Sequence, residues 1–173
     1  MEFQRLTSPD DERLDMAMAL YRNSFPPHEQ RTVISQKAAI NHDDYHFDLI
    51  YERTFFIGFL LYWQTNAFIY VEHFCIVPEF RGKKYGQRAL AHLSQKGLPI
   101  ILEIDPPVDE ISIRRKAFYT RAGYISNPFP HIHPPYQPGY NGHSLEVMSY
   151  PQAIAPKEYE QFRSYLENVV MRL

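Results

Sequence analysis

The stretch from Phe68 to Leu93 constrains the fold most. Its first part, Phe68-Ile69-Tyr70-Val71-Glu72-His73-Phe74-Cys75-Ile76-Val77, is rich in aromatic and β-branched residues and reads as one strand, ended by Pro78. Helical spacing begins near Gly86, with Leu90 and Leu93 on one face, and stops at Lys96-Gly97, a basic last turn followed by a glycine cap. Between them lies Arg81-Gly82-Lys83-Lys84-Tyr85-Gly86, which holds two glycines and three cations at a helix start. The first amides of a helix lack intrahelical acceptors and sit at the positive end of its dipole, and glycine lets a ligand approach the backbone closely. A strand delivered straight into such a turn predicts an anion site suited to a diphosphate. A solvated basic turn ahead of an ordinary helix is the alternative from these residues alone.

The rest of the chain alternates strands and helices around this unit. Phe3–Leu6 reads as a short strand, and Ser8-Pro9-Asp10-Asp11 reads as the start of a helix that carries Leu14, Met18 and Tyr21 and ends near Phe25-Pro26-Pro27. A short helix follows from Ser35 to about Asn41. Phe47–Tyr51 and Thr54–Trp63 form a hairpin through Glu52-Arg53. Pro99–Ile104 is a strand, Ser112–Arg121 a helix capped by Gly123, and Tyr124–Ser126 and Leu145–Tyr150 are antiparallel partners. Tyr159, Phe162, Leu166 and Val169 mark a final helix in the tail 157–173. The segment Asn127–Tyr140 carries five prolines and reads as an ordered loop lying over a surface. The class is α/β: one domain with a mixed central sheet flanked by helices, and an extra C-terminal helix. A length of 173 residues suits one sizeable core.

Charge and cysteine usage exclude several functions. The net charge of −2 shows no basic bias, so neither nucleic acid nor a membrane surface is expected as a partner. Cys75 is the single cysteine, which rules out an internal disulfide and makes a reducing compartment the default. The start, Met1-Glu2-Phe3-Gln4-Arg5, lacks a secretory apolar run, and no stretch approaches the roughly 20 apolar residues of a membrane span. A cytoplasmic location is expected.

The run Ile69–Gly86 resembles the central motif of the GNAT N-acetyltransferases, a strand followed by Arg/Gln-x-x-Gly-x-Gly/Ala and a helix. Lys116-Ala117-Phe118-Tyr119-Thr120-Arg121-Ala122-Gly123-Tyr124 is similar to that family's later helix motif, Phe-Tyr-x-x-x-Gly-Phe. Asn23–Glu29 resembles a segment that follows the first helix in many members. The resemblance covers roughly residues 3–150, taken as domain 1–150; the extension 151–173 lies outside it and packs on the same domain or on a second subunit, making a homodimer. One motif position departs from the pattern: Lys84 stands where glycine is expected.

The resemblance implies direct transfer of acetyl from acetyl-coenzyme A to a primary amine of a small molecule or peptide. It places the cosubstrate at Ile76, Val77, Arg81, Gly82, Lys83, Lys84, Tyr85 and Gly86, with a backbone N–H at Ile76 or Val77 facing the thioester oxygen. Tyr119 takes the general acid's position, and a phenol is protonated at neutral pH without tuning. Glu72, four residues before Ile76 and expected on the same sheet face, is the candidate base; Glu103 and His73 compete with it. Glu29, Glu103, His133 and Tyr136 are candidate acceptor-pocket residues, with Arg31 and Tyr140 beside them. Cys75 reads as a small buried residue rather than a nucleophile. His131, His133 and His143 lie close in sequence, but no acidic or cysteine ligand completes a familiar spacing, so no metal is expected. A module of the same fold that binds coenzyme A or a partner protein without catalysis is the alternative function.

Overall fold

In the computed structural model, which describes residues 1–173, the chain runs β1 (Glu2–Leu6), α1 (Leu14–Ser24), α2 (Val33–Ile40), β2 (Tyr45–Glu52), β3 (Phe55–Gln64), β4 (Ile69–Ile76), α3 (Tyr85–Ser94), β5 (Ile100–Ile104), α4 (Glu110–Arg121), β6 (Ile125–Ser126), β7 (Ile132–His133), β8 (His143–Ser144), β9 (Glu146–Tyr150) and α5 (Pro156–Asn168). Seven strands form one sheet in the order β1-β2-β3-β4-β5-β9-β6; β7 and β8 make a separate ribbon inside the proline-rich segment. Only β4 and β5 are parallel neighbours, as a strand–helix–strand crossover requires.

Helices cover both faces of the sheet. On one face, Ala17, Met18 and Tyr21 of α1 and Tyr159, Phe162 and Leu166 of α5 pack on Phe59, Leu61, Trp63 and Tyr70. The α5 stripe follows helical spacing, and burying a ring such as Phe162 contributes about 2 kcal/mol. On the other face, Ala89, Leu90 and Leu93 of α3 and Tyr119 of α4 meet Leu60, Tyr62, Val71 and Leu102. Caps fix two of the helix starts. Thr32 accepts a bond from the Ser35 amide at the start of α2, and Asp109 with Ser112 forms a capping box on α4.

Two irregularities in β4 prepare a site. Its pairing with β3 shifts register so that Leu61 opposes His73 while Tyr62 opposes Val71, leaving Glu72 as the extra residue of a β-bulge. Its pairing with β5 runs only from Ile69/Ile100 to Val71/Leu102, although β4 continues to Ile76 and β5 to Ile104. The two strands therefore part just beyond the bulge and leave a cleft in the sheet. The bulge also overturns the expected alternation. Tyr70, Glu72, His73 and Cys75 all face α1 and α5, whereas Val71, Phe74 and Ile76 face α3 and α4. Glu72 and Ile76 lie on opposite faces, and His73 shares the face of Glu72.

Candidate active site

The Arg81 turn has the backbone of an anion cradle. Gly82 (φ 75°) and Lys84 (φ 64°, ψ 6°) are both left-handed, so Lys84 adopts the conformation a glycine would have taken there. The first backbone bond into α3 is Arg88 N–H to Lys84 O at 3.0 Å; the amides of Gly82, Lys83, Lys84, Tyr85, Gly86 and Gln87 have no acceptor within the protein. Gly86 leaves little room for a side chain: a Cβ there would lie 3.0 Å from the Phe118 ring, which would have to give by a few tenths of an ångström, and 3.7 Å from that of Phe74. This close approach seats the start of α3 on α4 and the end of β4.

The neighbouring side chains frame the cleft. Arg81 Nε donates to Ile76 O (2.9 Å), and the Lys83 ammonium lies 5.4 Å from the Phe80 ring centre. Val77 N–H donates to Ile57 O (3.0 Å) and so faces β3; along a strand the amides alternate, and that of Ile76 faces the side where β5 has departed. Of the two amides expected to serve the thioester, Val77 is spent on the sheet and Ile76 faces the cleft. A diphosphate fits the free amides and cations, and an extended amide-bearing arm fits the unpaired edge of β4.

Tyr119 lies beside the cleft on the α3/α4 face, between Phe118 (ring centres 5.1 Å) and Tyr124 (5.7 Å). Its hydroxyl makes no hydrogen bond within the protein. Burial pushes its pKa up to about 12, with Arg115 opposing and Cys75 reinforcing the shift. Cys75 itself is buried with Sγ 3.0 Å from Ser24 Oγ, on the opposite face.

On that opposite face the two acids expected as bases are both committed. Glu72 Oε1 accepts from Arg31 Nε (2.8 Å) and Oε2 from Trp63 Nε1 (2.8 Å), and its side chain has no exposed surface. Burial works against its charge, but Arg31, His73 and Trp63 outweigh burial and hold the carboxyl below its ordinary value. Arg31 is tied further to Ser35 Oγ (3.0 Å) and Val170 O (2.7 Å). Glu103 accepts from Tyr70 Oη (2.5 Å) and from His131 Nε2, while His131 Nδ1 meets Tyr159 Oη (3.0 Å). Burial is again outweighed, by His133 and His131, and the Glu103 carboxyl is lowered. Both oxygens of each acid already accept a hydrogen bond inside the protein, which weighs against either of them as the base expected from the sequence. The histidine of the bulge is fixed as well. His73 Nε2 donates to Glu29 O (2.9 Å), its Nδ1 is buried without a partner, and burial lowers its pKa to about 4.

The proline-rich segment crosses this face as a strap. Gln137 Nε2 donates to Pro27 O (3.2 Å) and Gln30 O (2.8 Å), fastening it to the connection between α1 and α2. Tyr136 lies between His73 (5.6 Å) and His133 (4.8 Å), with its ring 5.3 Å from the Arg31 guanidinium. His133 Nδ1 donates to Pro134 O, which leaves Nε2 bare, buried and 3.8 Å from Glu103 Oε2. Glu29, on the far side of the strap, has its carboxylate 24% exposed, and its proton affinity is raised by burial and by the charge of Asp105. No three of the His, Cys, Asp and Glu side chains converge in a metal-holding arrangement. No helix is long and apolar enough to cross a membrane.

The structure thus brings Glu29, Glu72, Glu103, His133 and Tyr136 together on one face of the cleft, with Tyr119 on the other. Trp63, Tyr70 and Gln137 were not marked by the sequence, and His131 was marked only in a histidine group weighed for a metal, not as the partner of Glu103. An isolated Trp in an apolar strand and a lone Gln among prolines are the only signals they offered.

Comparison with known proteins follows the same geometry. Residues 12–124 match the family model described as "Acetyltransferase (GNAT) family". A protein from Bacteroides thetaiotaomicron assigned to the GNAT family superposes with TM-score 0.91 at 32% identity, over 100% of this chain and 99% of that one. An aminoglycoside 6'-N-acetyltransferase complexed with coenzyme A matches at TM-score 0.60 and 14% identity, covering 86% and 96%. The ribosomal-protein-S18-alanine N-acetyltransferase of Escherichia coli matches at 0.57 and 16%, covering 90% and 96%. These last two show the shared fold. No curated protein matches the chain.

Proposed function

This chain belongs to the acetyltransferase (GNAT) family, an acetyl-coenzyme A-dependent acyltransferase, and on that premise we propose that it moves acetyl directly to a primary amine of a small molecule or peptide. The diphosphate is held by the free amides of residues 82–87 with Arg81, Lys83 and Lys84, and the thioester oxygen by Ile76 N–H. When bound, the cosubstrate supplies the activated acetyl group. The residues of the chain hold it at the cleft, orient the amine from the Glu29–Tyr136 side, and move protons.

Tyr119 is the general acid. It gives its proton to the departing sulfur, and the single observation that carries this role is its hydroxyl: beside the cleft, free of any protein partner and, as a phenol, protonated at neutral pH. Glu72 is given a positioning role, since it holds Arg31, which in turn fixes the floor under Tyr136. The acceptors named for relatives, an aminoglycoside and a ribosomal protein's alanine, support a choice between a small molecule and a peptide amine without deciding it.

Tyr119→Phe tests the proposal. Thiol release should fall by about 10²-fold or more while the affinity for coenzyme A is kept; a variant with wild-type turnover removes Tyr119 from the acid role.

A further inference from the structure

Five carboxylates ring the cleft between β4 and β5, and four of them have strong partners. Glu72 is held by Arg31 and Trp63, and Glu103 by Tyr70 and His131. Asp105 pairs with Arg115 at 2.5 Å and Glu146 with Lys116 at 2.7 Å. Glu29 alone accepts no hydrogen bond on its carboxylate. The nearest basic side-chain nitrogen is that of its own neighbour, His28 Nε2, at 3.6 Å.

Glu29 is nevertheless firmly placed. Its N–H donates to Pro26 O (2.9 Å), and its carbonyl accepts from His73 Nε2 (2.9 Å), the histidine that the bulge in β4 turns toward it. The charged and titratable groups that act on its carboxylate are Asp105 and Arg115 across the cleft, His133 on the strap, and His28. This places the carboxylate at the cleft mouth, sheltered but reachable. Aromatic rings line the same mouth: His28 lies 6.1 Å from Tyr140 and 5.5 Å from His143, and His143 lies 5.9 Å from His133. A carboxylate that accepts no hydrogen bond, at a mouth that also holds the Tyr140 ring, favours a cation. An anionic ligand finds no unpaired arginine here, because Arg31 is 1% exposed and bound to Glu72, and Arg115 is bound to Asp105.

We propose that Glu29 is the carboxylate that receives the acceptor's ammonium group and takes its proton, making the site selective for amines carrying positive rather than negative charge. The inference rests on reading the chain as an N-acetyltransferase. In the step, an ammonium N–H bond breaks and its proton passes to the Glu29 carboxylate. The freed nitrogen pair forms the bond to the thioester carbonyl carbon. The C–S bond breaks with its electron pair going to sulfur, which takes the Tyr119 proton. The attacking nitrogen gives up its second proton through water to Tyr119 as the amide forms, which restores the phenol, and Glu29 releases its own proton to water.

Three amines with the same four-carbon chain separate the outcomes: 1,4-diaminobutane, n-butylamine and 4-aminobutyrate. They are titrated calorimetrically into the whole chain, free and saturated with coenzyme A, for the wild type and Glu29→Gln. The diamine is expected to bind tighter than 4-aminobutyrate by about tenfold, the factor that ~1.4 kcal/mol gives, and Glu29→Gln should bring the two together. With acetyl-coenzyme A and the diamine, thiol release by Glu29→Gln is expected to fall by about 10²-fold. The proposal is overturned if 4-aminobutyrate binds as well as the diamine. It is equally overturned if the preference or the turnover survives Glu29→Gln, or if wild type with coenzyme A bound neither binds nor acetylates the diamine at millimolar concentration. Failure to bind coenzyme A, with a Glu29-dependent diamine preference intact, would instead remove the acetyltransferase reading and leave the ammonium site standing.

Discussion

Glu72 and Lys84 show how far a residue's chemistry can be read before its neighbours are known. A glutamate in an apolar strand near a family motif reads as a base, and that reading assumes regular alternation. The bulge turns Glu72 to the face of Trp63 and Arg31, where both carboxylate oxygens are occupied. Removing Arg31 alone leaves a buried, unpaired charge, so Arg31→Met is expected to cost about 3–5 kcal/mol, and the double substitution with Glu72→Met less, by urea unfolding. Lys84 was legible as a departure from the motif, but its left-handed backbone was not, because composition does not report φ. A lysine held there costs roughly 1–2 kcal/mol. Lys84→Gly should therefore raise the urea midpoint by about 1 kcal/mol in stability, after the added flexibility of glycine in the unfolded chain is deducted. An unchanged or lower midpoint would show that the lysine makes up for its strain elsewhere.

At the scale of elements, the strands and helices were legible because their periodicities are strong: the aromatic runs of β3 and β4 match their observed strands to within a residue or so, and the α1 and α5 stripes lie on observed helices, although α1 starts at Leu14 rather than at Ser8–Asp11 and α5 ends at Asn168 rather than at Leu173. The parting of β4 from β5 was not legible, since it arises from register with β3 rather than from any residue type. The strap was read as an ordered loop over a surface, and its prolines supported that; which surface it covers depends on Gln137, whose amide bonds two carbonyls more than a hundred positions earlier. Gln137→Ala should loosen the strap without unfolding the sheet. Hydrogen exchange is expected to accelerate at residues 131–144 and stay unchanged in β3. Exchange unaltered in the strap would mean that Tyr136, wedged over Arg31, holds it without the latch.

For the whole molecule, the sheet divides the proposed work: α3 and α4 lie on one face with the turn and Tyr119 proposed to serve the cosubstrate, while α1, α5 and the strap lie on the other, where the acceptor is proposed to bind. The same division makes stability pH-dependent. Burial lowers the ring pKa of His73 and His46 to about 4 from the ordinary 6.5, so the unfolded chain binds more protons between those values. Stability is therefore complete above pH 6.5 and is lost as pH falls toward 4; the urea midpoint should decline over that window, less steeply in His73→Gln, and a flat midpoint would contradict the assignment. The central claim is that the gap between β4 and β5 and the turn before α3 form one cosubstrate site. Hydrogen exchange of the whole chain with and without coenzyme A tests it most directly. The amides of residues 82–87 and of Ile76 have no partner of their own and should exchange fast, then slow together when coenzyme A is added; protection confined to other segments, or absent from these, would contradict it.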